Sequence, residues 1–297
     1  MNRRELLNIV FFSVPFFYGF EYFALNDNKR YETNQKSVEI FNNLINKYIN
    51  NPDKYYSSIN RYIIDFSKEF IGYPYKSGTL EGQGEEICRF DLTGFDCVTL
   101  VESSLCLSRI FLKGLYTIED FVNELIYTRY RDGILDGYTS RLHYTADWAF
   151  ENIKKNVVED MTKELGGIRL PINVSFMSSN PDFYQALKNN KNNINIIKRI
   201  ENEINSRTYY YIPKDKVKEI EPFIRNADII CIATSKKGLD YSHLGLAYID
   251  DTKENRKANL IHASSKQKKV IIDRAISEYL AESPSSIGIT ILRPMEV

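Results

Sequence analysis

The chain is poor in the residues that do most acid–base and redox work: its 297 positions hold three histidines, four cysteines and one tryptophan. It also lacks charge of one sign, with 39 Lys plus Arg set against 39 Asp plus Glu. That balance leaves no electrostatic footprint for nucleic acid and no one-sign tail. No C-x-x-C pair or zinc-finger spacing occurs, so neither a metal nor an organic cofactor is expected. Long apolar runs are missing except for Leu6–Phe20, an uncharged stretch behind Arg3 and Arg4. A basic n-region before such a stretch reads as a signal peptide over residues 1–25. It is short for a bilayer span, which needs about 17–25 residues. The A-x-A cleavage pattern is absent, which leaves a membrane anchor or a buried first helix open. The expected location is the cell envelope, periplasmic or secreted, with membrane association through the N-terminus as the variant.

What remains is globular in composition, 43% hydrophobic and 26% charged, which excludes general disorder. Helical spacing of apolar residues runs over 37–70, from Val38 and Phe41 to Phe66 and Phe70. Tyr73–Gly94 is rich in Gly and charge and reads as a long surface loop. A helix starts near Asp96, with Val101, Leu105, Ser108 and Leu112 forming one buried stripe behind Cys97. Further helices are expected over Thr117–Tyr127, Ala146–Met161, the Asn- and Lys-rich stretch 181–206 and Arg274–Glu282. The last third carries short β-branched runs: Asp228–Thr234, Leu244–Ile249, Ala258–His262, Lys269–Ile272 and Ile287–Leu292. Asp250–Arg256 reads as a hairpin connection. Helices first and strands later predict an α+β domain, its antiparallel sheet packed on the helix that begins at Cys97. One domain over residues 37–297, with helical insertions, is the simplest organisation. The segment 181–206 has no functional reading.

The four cysteines differ in setting. Cys231 lies in an apolar strand run and Cys106 among Leu105, Leu107 and Ile110, so both read as core. Cys88 sits in a polar loop, where a disulfide stays open for an exported chain. Cys97 follows Gly94-Phe95-Asp96, a loop ending in a preferred N-cap residue. That puts the thiol in the first helical turn, where unpaired N–H groups and the helix dipole favour a thiolate and can hold an oxyanion. The Asp96 charge opposes this, so its side chain should turn to backbone amides. His243 opens one strand and His262 closes the next. In an antiparallel hairpin they can lie side by side, one accepting the thiol proton and the other fixing its tautomer. Two ordinary strand-end histidines are the competing reading.

Four segments then carry a resemblance: Gly72-Tyr73-Pro74-Tyr75-Lys76-Ser77-Gly78, Phe95-Asp96-Cys97-Val98-Thr99-Leu100-Val101-Glu102, Ser242-His243-Leu244-Gly245-Leu246-Ala247 and His262-Ala263-Ser264-Ser265. They resemble the NlpC/p60 superfamily, which has a papain-like fold and hydrolyses peptidoglycan amides. Gly78-Thr79-Leu80-Glu81, Arg129-Tyr130-Arg131-Asp132-Gly133, Arg141-Leu142-His143-Tyr144 with Asp147-Trp148, and Gly238-Leu239-Asp240 are similar to its N-acetylmuramoyl-L-alanine amidase-like branch. The resemblance implies Cys97 as nucleophile, His243 as base, His262 as orienting residue and Tyr75 near the oxyanion. It implies a muropeptide substrate, cut between the muramic lactyl group and L-alanine. Asp96 and Ser242, which flank the triad within these motifs, are candidates for oxyanion or substrate contact. Arg129, Arg141, His143, Tyr144 and Trp148 are candidates for the substrate wall, through Arg pairing with carboxylates and Trp stacking on a sugar. Their competing reading is a buried network that supports the site. Alternative functions are a D-Glu–diamino acid endopeptidase with the same triad, a thiol acyltransferase and an inactive wall-fragment binding protein.

Overall fold

The computed structural model describes residues 30–51, 58–250, 252 and 256–297. The expected leader over 1–25, and residues 251 and 253–255 of the expected hairpin connection, lie outside the described residues. Among the described residues no helix is long and apolar enough to cross a membrane.

The helices are α1 (Gln35–Ile49), α2 (Ile59–Glu69), α3 (Cys97–Leu112), α4 (Ile118–Arg129), α5 (Thr145–Lys154), α6 (Phe176–Ser179), α7 (Lys191–Ser206), α8 (Val217–Ile220) and α9 (Ile276–Ala281). The strands are β1 (Tyr31–Glu32), β2 (Cys88–Arg89), β3 (Val158–Asp160), β4 (Ile168–Leu170), β5 (Tyr209–Pro213), β6 (Ile229–Thr234), β7 (Tyr241–Ile249), β8 (Ala258–Ser264), β9 (Lys269–Ala275) and β10 (Ser286–Pro294). The main sheet is antiparallel in the order β4-β5-β10-β6-β7-β8-β9, and β3 pairs with the far end of β10. Strand alternation gives each face its own core. Leu244, Leu246, Ile261, Ala263 and Val270 join the cluster built by α1–α5. Ile230, Ile232, Ala247, Ile249 and Leu260 face the other way, onto Val217 of α8 and Ile276 and Leu280 of α9.

Helix α3 lies between α2 and α4 and packs on β7 and β8. Residues Thr99 through Phe111 are all buried, so the single stripe expected from the sequence is replaced by burial on every side. Ser103, Ser104 and Ser108 make this workable, being small enough for close neighbours, and Ser108 Oγ donates to the Ser104 carbonyl at 2.7 Å. Two further expectations are corrected. The helix expected over Ala146–Met161 ends at Lys154, and Asn156 takes a left-handed backbone, φ 55°, before the chain enters β3. In 181–206 the long helix is confined to Lys191–Ser206, where the Asn190 side chain caps it by accepting the Asn193 N–H.

Candidate active site

Construction of the site begins with a close approach of two loops. The Phe95 N–H donates to the Pro74 carbonyl at 3.0 Å and the Lys76 N–H to the Phe95 carbonyl at 2.9 Å. Gly94 allows it, because a Cβ there would stand 2.8 Å from the Pro74 oxygen. The Tyr75 N–H donates to the Lys268 carbonyl at 2.9 Å, which ties the same loop to the turn between β8 and β9. Tyr75 is thereby set beside the start of α3, and its hydroxyl is held above the ordinary tyrosine range by burial, then by Cys97 and Asp96.

Asp96 caps α3 through a reciprocal box. Its Oδ1 accepts the Thr99 N–H at 2.8 Å, and Thr99 Oγ1 accepts the Asp96 N–H at 3.0 Å. Cys97 is the first helical residue and is partly buried. Backbone N–H groups of Leu244, Cys97 and Val98 point at its sulfur and favour the thiolate. Burial, followed by the Asp96 charge, outweighs them and pushes the thiol up to about 12. The thiol is therefore held neutral, against the pull of the helix start toward a thiolate.

Leu244 is the residue after His243, so the contact at the sulfur also brings in the start of β7. A bulge at this point places Ser242 as an extra, exposed residue between the pairs Ala233–Tyr241 and Ile232–His243. His243 Nε2 lies 2.6 Å from His262 Nδ1, with the rings near perpendicular at 87°. Burial, followed by His262, holds His243 down to about 3, and burial lowers His262 as well. Both imidazoles are neutral, so each carries one proton and the pair shares one N–H···N bond.

Sequence reasoning missed two residues. Asp273 Oδ2 lies 3.3 Å from His262 Nε2. The Tyr279 ring stacks on His243 at 6.0 Å and meets His262 edge-on at 5.3 Å. Tyr279 is held above its ordinary range by burial, then by Asp273 and Cys97, which places it in the field of both. No spacing rule points to either, because both come from the segment that folds back after β8.

The expected substrate residues divide. A cavity of about 50 Å³, room for more than one water-sized group, is lined by Val98 and Leu244, whose amides point at the Cys97 sulfur, and by Leu142, His143, Thr145 and Trp148. His143 Nε2 lies 2.9 Å from the Tyr138 carbonyl, and burial, then Arg141, holds the ring down to about 3. Trp148 donates its indole N–H to Glu102 at 3.2 Å, and Glu102 Oε2 accepts from Arg129 Nε at 2.8 Å. The guanidinium of Arg129 also donates to the Arg89 carbonyl at 2.6 Å and is 2% exposed, so it is spent within the protein. Arg141 is spent likewise, on the Leu80 carbonyl and on Glu81. Tyr144 donates to Glu201 at 2.7 Å and accepts the Met177 N–H at 3.0 Å, pinning α7 to the body. Of these residues, His143 and Trp148 border the cavity; Arg129, Arg141 and Tyr144 are held by internal partners. The described cysteines are all free, Cys88 included, and it is buried beside Arg129. Among the described residues no group of three or more His, Cys, Asp and Glu side chains is arranged to hold a metal.

Comparison with known proteins gives the family. The family described as N-acetylmuramoyl-L-alanine amidase-like matches residues 65–289. A solved N-acetylmuramoyl-L-alanine amidase from Bacteroides uniformis is 34% identical, with a TM-score of 0.74, over 80% of this chain and 99% of that one. A Bacteroides fragilis protein described as a candidate xylanase is 35% identical, with a TM-score of 0.71, over 77% and 99%. Protein LPG0564 from Legionella pneumophila shares the fold at 23% identity and a TM-score of 0.65, over 88% and 95%. No curated protein matches the chain. With most of its length inside one family and a third of the aligned residues identical to those of a solved amidase, this chain belongs to the N-acetylmuramoyl-L-alanine amidase-like family, a group of amidase-like hydrolases.

Proposed function

We propose that the protein is a cysteine amidase of NlpC/p60 type, with a papain-like fold, acting on peptidoglycan-derived muropeptides in the cell envelope. The bond cut is the amide between the muramic lactyl carbonyl and L-alanine. The reading rests above all on one observation: the Cys97 sulfur sits at a capped helix start against the Leu244 amide, one residue from a bonded pair of neutral imidazoles.

Because thiol and imidazole are both neutral, proton transfer accompanies attack. His243 takes the thiol proton as sulfur adds to the lactyl carbonyl, and the developing oxyanion is met by N–H groups at the start of α3 and by Tyr75. Collapse breaks the C–N bond while the imidazolium returns its proton to the leaving amine of L-alanine. A muramyl thioester remains on Cys97, and water deprotonated by His243 releases the sugar acid and the free thiol. His262 holds the His243 ring throughout.

The description of the B. fragilis neighbour raises glycoside cleavage. That chemistry needs two carboxyl groups facing one sugar bond. Three carboxylates around Cys97, His262 and the adjoining cavity are otherwise engaged: Asp96 caps α3, Glu102 is paired with Arg129 and Trp148, and Asp273 holds His262. A muramyl tripeptide incubated with wild type and with Cys97→Ala, and followed by mass, tests the proposal. The expected products are the free sugar acid and intact peptide, from wild type alone. Equal turnover by Cys97→Ala would remove the nucleophile, and a cut beside D-Glu would replace the specificity.

A further inference from the structure

We infer that Asp273 is a positioning residue that sets the tautomer of both histidines and so decides whether His243 can act as a base. The inference rests on the proposed catalytic reading for its kinetic consequence, and on geometry alone for the tautomers.

Strand β9 carries a bulge opposite Leu260. Asn259 pairs with Ala275 and Ile261 with Ile272, so Asp273 and Arg274 together face one residue of β8. Asp273 lies diagonally from His262, whose direct partner is Ile271. The two carboxylate oxygens have separate tasks. Oδ1 accepts the Arg274 backbone N–H at 2.8 Å and lies 3.4 Å from Arg274 Nε. Oδ2 faces His262 Nε2 at 3.3 Å. A carboxylate held below its usual range only accepts, so it selects the His262 tautomer protonated at Nε2. His262 Nδ1 is then a bare acceptor, and the 2.6 Å bond can form only if His243 supplies an Nε2–H. A neutral His243 protonated at Nε2 has its lone pair on Nδ1, free to take the thiol proton. Each proton position in the row follows from the one before. Other groups near the row are Arg274, bound to Asp273 and ion-paired with Glu282, and the Tyr279 ring.

The separate tasks of Oδ1 and Oδ2 make Asp273→Asn informative. The Arg274 N–H is a donor, so it keeps the amide oxygen and turns the new NH₂ toward His262. His262 must then expose a lone pair at Nε2 and carry its proton on Nδ1. That proton is donated to His243 Nε2, which leaves His243 protonated on Nδ1, with no lone pair to take a proton. Asp273→Ala removes the selection without reversing it. Asn should therefore be the worse change, losing about 10²–10⁴-fold in kcat with little change in KM, while Ala loses about 10-fold or less. A purely structural role for Asp273 gives the opposite order, since Asn preserves its shape.

The test joins kinetics of both variants to ¹⁵N chemical shifts of the imidazoles in the resting proteins. Wild type should show His262 and His243 protonated at Nε2, and Asp273→Asn should show both protonated at Nδ1. The inference is overturned if Asn is as active as Ala, or if the His262 tautomer is the same in wild type and Asp273→Asn. Because the shifts are read without turnover, they stand whether or not Cys97→Ala upholds the amidase reading.

Discussion

At the scale of single residues, the chemistry turns on which groups are charged before substrate arrives. Cys97 is pushed up to about 12 and His243 down to about 3, so no thiolate–imidazolium pair is stored. Alkylation of Cys97 by iodoacetamide should therefore rise with pH through pH 9, with no plateau at neutral pH. A flat, fast rate between pH 5 and 8 would reveal a stored ion pair. The three histidines share a second consequence. His143, His243 and His262 are all held below their ordinary range, so between those lowered values and about 6.5 the unfolded chain binds protons that the folded chain does not. Stability is full above about pH 6.5 and is lost as pH falls toward the folded values, about 3 for His143 and His243. Asp240, raised to about 6, and Asp160, also raised by burial, act in the opposite sense, against three histidines and the lowered carboxyls of Asp91 and Asp273. Thermal melts should show Tm falling from pH 7 to pH 4.5, with a smaller fall for His143→Gln; a Tm independent of pH would contradict the burial argument.

The sequence discloses residues at this scale unevenly. Cys97 was legible because a preferred cap precedes it and the other three cysteines sit in apolar or loop settings. His243 and His262 were legible because few histidines exist and two fall at strand ends. Asp273 and Tyr279 were not, because a bulge and a return helix bring them in, and neither leaves a periodic mark. The guanidiniums of Arg129 and Arg141 read equally as ligand or strut, and only the positions of Glu102, Glu81 and the Leu80 and Arg89 carbonyls decide between them.

Among the elements, the start of α3 holds both the cap and the proposed nucleophile, and these neighbouring residues do two jobs that conflict. Asp96 stabilises the helix start but its charge raises the thiol. Asp96→Asn should separate them. Asn caps about as well as Asp, so stability should change by less than about 1 kcal/mol. The thiol pKa should fall, and alkylation at pH 8 should quicken. An unchanged alkylation rate would show that the Asp96 charge does not reach the sulfur. The start of this helix could be read from Asp96, a preferred cap residue at the end of the loop through Gly94 and Phe95. Its full burial could not, because serines at 103 and 104 fall off the stripe of Val101, Leu105, Ser108 and Leu112 and look like a solvent face, when they are small residues in a tight packing. The end of α5 was hidden for a related reason: Val157 and Val158 continue the apolar spacing of the helix, yet after the left-handed turn at Asn156 they begin a strand.

The whole molecule is a device for bringing two distant parts of the chain together. Helix α3 is inserted between α2 and α4 and rests on β7 and β8, so its first turn arrives where the sheet presents His243 and His262. Strand number and antiparallel pairing in the last third followed from β-branched runs, whereas the short strands β3, β4 and β5 escaped notice because pairing with β10 and with each other defines them more than composition does. The most direct measurement is covalent labelling with a muramic acid derivative that carries a chloromethyl ketone in place of the scissile amide. One label per molecule on the peptide containing Cys97, with activity lost in proportion, is the expected result. A label on Cys88, Cys106 or Cys231, or full activity after Cys97 is labelled, would contradict the assignment of that sulfur as the nucleophile.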